Sequence, residues 1–160
     1  MALSYFDVIS MIFHNFDYIS SEDAIYSLFG KNNLKDVTTE EDQGPNFSIP
    51  FYAKVFNFEV KESYLGILEV DFSKSNRLLN SRILLHFGSM ENQIKAKKFY
   101  ETKLLPYIKN EVDNVESVPN PAIYGHTFYP KNLEVTARWV IGMPCVSIYL
   151  TLLDKCNFPS

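Results

Sequence analysis

Cysteine is scarce in this chain, Cys145 and Cys156 being its only two. Two thiols do not make the disulfide framework on which small secreted domains depend. Glycine is scarce as well. Its six copies stand singly and leave no Gly-rich loop to cradle a phosphate. No Lys or Arg precedes Lys31, and Asp7 interrupts the early apolar residues, so the basic-then-apolar pattern of a secretory signal is missing. No stretch approaches the roughly 20 apolar residues of a bilayer-spanning helix. The expectation is a cytoplasmic protein without a membrane partner. The histidines, His14, His86 and His126, lie far apart, and Cys-x-x-Cys, His-x-x-x-His and His-Glu-x-x-His spacings are all absent. Neither a metal nor another cofactor is therefore expected.

Aromatic residues, by contrast, are abundant: 13 Phe, 10 Tyr and one Trp make up 15% of the chain. They read first as core filling and second as interface anchors. A length of 160 residues with 21% charged residues is that of one globular domain rather than a disordered or fibrous chain. Its charge is lopsided. Residues 1–46 carry eight acids against two bases, and residues 47–160 carry eleven acids against thirteen bases, so −6 and +2 sum to the overall −4. An acidic N-terminal part suits a basic protein partner. It argues against nucleic acid, whose phosphates need a basic surface.

Periodicity places the elements. Ser4 is positioned to cap a first helix with Phe6, Ile9, Phe13 and Phe16 on one stripe. Ser20 is positioned to cap a second, burying Ala24, Ile25, Leu28 and Phe29 and stopping at Gly30. Asn32, Asn33, the run Glu40-Glu41-Asp42 and Gly44-Pro45 are loop chemistry, so 31–46 reads as an acidic loop. Apolar residues then alternate with polar ones through 51–60, 64–72 and 79–87, and again through 122–129, 133–141 and 145–153. A long helix is predicted from after Ser89 to about Val112, burying Ile94, Leu105, Ile108 and Val112, with Pro106 kinking or ending it. The fold class expected is α+β: two short N-terminal helices, then a largely antiparallel six-stranded sheet in two three-stranded halves (βββ-α-βββ), the long helix packed on one face. The domain expected is single, 1–160, with helices in 1–30, the acidic loop in 31–46, and the sheet and long helix in 47–160.

Chemistry is harder to find. Gly-x-Ser-x-Gly is absent. A Cys145–His126 dyad would be a nucleophile and its base, but a lone Cys at a strand start is ordinarily a small packing residue. Glu59, Glu69 and Asp71 resemble a carboxylate cluster, although acids on an alternating strand ordinarily mark the solvated face, paired across strands with Lys54 or Arg82. Lys95, Lys97, Lys98, Lys103 and Lys109 read as the polar side of the long helix. No catalytic residue is assigned. The residues expected to meet a protein partner are Asp36, Glu40, Glu41 and Asp42 in the acidic loop, and Arg82, His86 and Arg138 on the polar strand faces, with Glu134, Thr136 and Tyr149 nearby. The function expected is a small non-enzymatic interaction domain that binds or neutralises a partner protein, in an immunity-protein or inhibitor-like role. Two alternatives stay open: a small-ligand-binding protein or enzyme whose site is assembled from strand residues, and a secretion-chaperone-like homodimer. An enclosed pocket with convergent polar groups favours the ligand reading; a flat patch favours the binder.

Overall fold

Strict alternation of apolar and polar side chains commits most of this chain to one sheet with two different faces. The computed structural model describes residues 2–39, 51–112 and 114–153. Its strands are β1 (Lys35–Asp36), β2 (Phe51–Phe58), β3 (Leu65–Ser73), β4 (Leu78–His86), β5 (Glu116–Ser117), β6 (Tyr124–Phe128), β7 (Leu133–Trp139) and β8 (Cys145–Leu152). They form a single antiparallel sheet in the order β1-β2-β3-β4-β8-β7-β6-β5.

Among the described residues the sheet thus has eight strands in one layer, not six in two separate halves. The halves merge because β4 and β8 pair along seven residues, from Asn80↔Thr151 to His86↔Cys145. The two added strands, β1 and β5, are two-residue edges too short to leave an alternation in the sequence. Short edges also limit the unpaired backbone that invites edge-to-edge association. β1 falls within the stretch expected to be loop, as does a short 3-10 turn at Lys31–Asn33. Tight turns close the meanders at Asn76, Lys131 and Gly142, all with positive φ.

One face of the sheet is covered. Helices α1 (Tyr5–His14), α2 (Glu22–Phe29), α3 (Gln93–Phe99) and α4 (Leu105–Glu111) all contribute to a core that runs from Tyr5 to Leu152. The alternating residues Leu68, Val70 and Phe72, Ile83 and Leu85, and Val146, Ile148 and Leu150 lie within it, each almost wholly buried. Tyr5 reaches through this core to donate a hydrogen bond to Ile83 O at 2.8 Å. Ser4 occupies the N-cap of α1 but does not cap with its own side chain. Glu62 does so instead, accepting from Tyr5 N and from Ser4 Oγ at 2.8 Å each. A carboxylate at that end also complements the helix dipole. The cap of α2 is Ser21 rather than Ser20, and Gly30, at φ 84, ends it.

The long helix is interrupted. Between α3 and α4 lies a π-helical turn, Tyr100–Leu104, and Pro106 sits in the first turn of α4. The regular α hydrogen bonding thus breaks next to the proline, as expected, while the chain stays helical through to Glu111. The buried stripe is Ala96, Tyr100, Leu104 and Ile108, while Ile94 is 66% exposed. A strict four-residue spacing drifts by about 40° per step in an uninterrupted α-helix. The π turn absorbs that drift, which a uniform period could not anticipate. The stretch 133–141, read as alternating, runs past the end of β7, and Ile141 there is exposed.

Candidate functional site

Across the sheet from the helices lies a face that no helix covers among the described residues. Register defines its rows. Val55, Glu69, Arg82, Tyr149, Thr136 and Thr127 are successive neighbours across β2, β3, β4, β8, β7 and β6. One row along lie Ile67, Leu84, Ser147, Arg138 and Gly125. Most of these side chains are half-buried, so the face mixes apolar and polar surface without being sealed.

Tyr149 is the centre of this arrangement. Arg82 approaches from β4 and Arg138 from β7, with guanidinium carbons 5.7 and 5.0 Å from the ring centroid. Both arginines donate to the Tyr149 hydroxyl, Arg82 Nη1 at 3.3 Å and Arg138 Nη2 at 2.9 Å. Arg82 also donates from Nη2 to Glu69 Oε1 in an ion pair. No acid pairs with Arg138 among the described residues. The Nε atoms of both arginines and the hydroxyl of fully buried Ser147 have no hydrogen-bond partner. Gly125 faces Arg138, and a Cβ there would lie 2.6 Å from Ala137 O and 2.9 Å from Arg138 Cβ. The missing side chain leaves room for the arginine stem.

The residues singled out from sequence are only partly brought together. Arg82 and Arg138 converge on Tyr149. His86 shares their face, but four residues from Arg82 along β4, a separation of about 13 Å. Its Nδ1 accepts from Gly88 N at 2.9 Å, and its ring meets Tyr64 edge-on. Asp36 sits on edge strand β1, where hydrogen bonds from Thr38 hold its carboxyl below the usual range, helped by Lys54. Lys54 bridges Asp36 and Glu22 at 3.4 Å each. Glu40, Glu41 and Asp42 lie outside the described residues. Sequence reasoning missed Ser147, which reads as an ordinary strand serine until its lack of a partner is seen.

Other candidates dissolve. His126 lies on the helix-covered face, opposite Ala137, whereas Cys145 belongs to the alternate face opposite His86. The two do not meet, and burial pushes the Cys145 thiol up, away from the thiolate a nucleophile needs. His126 instead meets the buried Tyr100 hydroxyl at 2.7 Å, while Tyr100 donates to Ala137 O at 3.0 Å. Having spent its one proton there, Tyr100 receives the hydrogen bond from His126 Nδ1. Burial pushes the Tyr100 hydroxyl far up and, with Lys109 nearby, pulls His126 down. Glu69 is committed to Arg82, and Asp71 accepts from Asn80 Nδ2 at 3.3 Å, so these acids are cross-strand partners rather than an acid/base pair. No group of His, Cys, Asp and Glu side chains suited to a metal occurs among the described residues. No helix there is long and apolar enough to cross a membrane.

An apolar cavity between α1, α4 and the sheet, lined by Ile9, Phe13, Tyr107, Phe128 and Ile148, measures about 30 Å³. His14 and Glu111 also border it, the polar groups at its margin. Recesses elsewhere are open to solvent, such as the one where Glu22, Asp23, Lys31 and Asp36 meet. Comparison of the chain with models of known protein families, with curated proteins and with solved structures finds no match.

Proposed function

We propose that this protein is a non-enzymatic interaction domain that docks a partner protein on the open face of its sheet and thereby binds or neutralises it, in an immunity-protein or inhibitor-like role. The observation that carries the reading is the Arg82–Tyr149–Arg138 cluster standing half-buried on a sheet face that no helix covers among the described residues. Arginine and tyrosine concentrate where partners bind, because they combine large rigid contact area with fixed donors. Half-buried Val55, Ile67 and Leu84 supply apolar surface around them.

Affinity capture from the native cell tests this with three baits: the wild type, Thr136→Trp, which places a bulky ring beside Tyr149, and Lys98→Ala on the opposite, helical side. A partner held by the wild type and by Lys98→Ala, released by Thr136→Trp, and protecting β4, β7 and β8 from hydrogen exchange supports the reading. Equal retention by the Thr136→Trp bait removes the open face from consideration.

A further inference from the structure

Donors outnumber acceptors on the open face. A guanidinium carries five N–H donors, yet Arg138 makes one hydrogen bond, to Tyr149, and has no acidic partner among the described residues. The Tyr149 oxygen accepts from both arginines, and its own proton meets no acceptor among the described residues. Arg138 Nε, Arg82 Nε and Ser147 Oγ lie beneath, also unpartnered. These groups are neighbours by register, Ser147 standing opposite Arg138 and Tyr149 opposite Arg82. A half-buried cation without a counter-charge is costly, and unmet buried donors add to that cost. An incoming oxyanion would supply the missing counter-charge to Arg138, leaving the inaccessible Nε and Ser147 Oγ atoms as they are.

Charge around the cluster selects the kind of oxyanion. Glu69 already neutralises Arg82, and Glu134 stands on the same face four residues from Arg138 along β7, so Arg138 is left as a lone positive charge with acids to one side of it. A polyanion such as nucleic acid would run over Glu69 and Glu134 and be repelled there. A single carboxylate, flanked by apolar residues that fit against Leu84 and Ile67, would not. We infer that the open face reads an acidic side chain of the partner protein, its carboxylate seated on Arg138 and the Tyr149 hydroxyl. This rests on the face being the docking surface, as proposed above.

The probe is N-acetyl-L-glutamate amide, titrated into the ¹⁵N-labelled protein while the arginine Nε–H and backbone signals are followed by NMR. Saturable movement of the Arg138 signal and of the β7–β8 amides is expected. The neutral N-acetyl-L-glutamine amide and the variant Arg138→Gln should each weaken the response at least tenfold, the variant's backbone spectrum remaining that of the folded protein. Equal responses to the glutamate and glutamine probes overturn the inference. Tighter binding of inorganic phosphate at the same signals also overturns it, in favour of a phosphate ligand. Movement of the Arg138 signal on neutralising Glu40, Glu41 and Asp42, with no probe present, overturns it by making the chain itself the occupant. If the glutamate probe fails but Thr136→Trp still releases the captured partner, the docking face stands and only its acidic specificity falls; if both fail, both readings fall.

Discussion

Trp139, only 7% exposed, packs edge-on against Tyr124 and donates from Nε1 to Met143 O at 2.9 Å. Trp139→Ala should therefore cost about 3–5 kcal/mol, from lost burial and the cavity left behind. Denaturant unfolding measures it, and a midpoint unchanged from wild type would contradict the packing described. Arg138 contrasts with this. It is a half-buried charge with one hydrogen bond and no counter-ion among the described residues, so Arg138→Gln should leave stability unchanged or raise it by about 1 kcal/mol. His126 carries a pH dependence. Its imidazole is held below the usual range, first by burial and then by Lys109. As pH falls below about 6.5, the unfolded chain takes up the proton first. The stabilisation is thus complete above that pH and is lost as pH drops through the lower folded-state value. Urea midpoints at pH 7.5 and 5 should differ less in His126→Gln than in the wild type; an equal difference would assign the dependence elsewhere.

At the scale of elements, the long helix and the β2–β3 pair each hold a spacing that can be tested. The stripe Ala96, Tyr100, Leu104, Ile108 spans twelve residues, one more than the roughly eleven in three α-helical turns. The π turn is that additional residue. Deleting the exposed Thr102 should convert the turn to α-helix, keep the stripe facing the sheet and leave the melting temperature within a few degrees of wild type. Inserting an alanine after Thr102 should instead destabilise the protein clearly, because it turns Leu104 and Ile108 away. On β3, Gly66 lies opposite Phe58, and a Cβ there would fall 2.3 Å from the Phe58 ring. Gly66→Ala should cost about 1–3 kcal/mol as an overpacked core position. Phe58→Leu should recover part of that loss, giving a measurable coupling in a double-mutant cycle.

At the scale of the molecule, two charge features act over different distances. The −6 carried by residues 1–46 is a long-range field, whereas Arg138 acts only where it touches. Long-range charge mainly alters association rate and local contacts mainly alter dissociation. Reversing Glu40, Glu41 and Asp42 to Lys should slow capture of a partner of basic overall charge at low salt, with little effect on dissociation. Arg138→Gln should do the converse. Surface plasmon resonance separates the two rates, and a loop reversal without effect on association would show that this segment does not steer the encounter.

The six principal strands and their buried faces were legible in the sequence because side-chain alternation is local. Whether Leu68 or Val146 points inward depends on its immediate neighbours along the chain and on nothing farther away. Arg82 and Arg138 could be assigned to polar strand faces by the same rule, and Tyr149 only on condition of how its strand turned. Their meeting could not. It depends on β4 pairing with β8 across more than sixty residues of chain and on the register of that pairing, which the closed core decides. The Glu62 cap on α1 and the two-residue edges β1 and β5 have the same origin. Periodicity determined which side of each strand is hidden; only the tertiary structure determined which polar residues stand side by side, because adjacency across strands is set by contacts between distant parts of the chain.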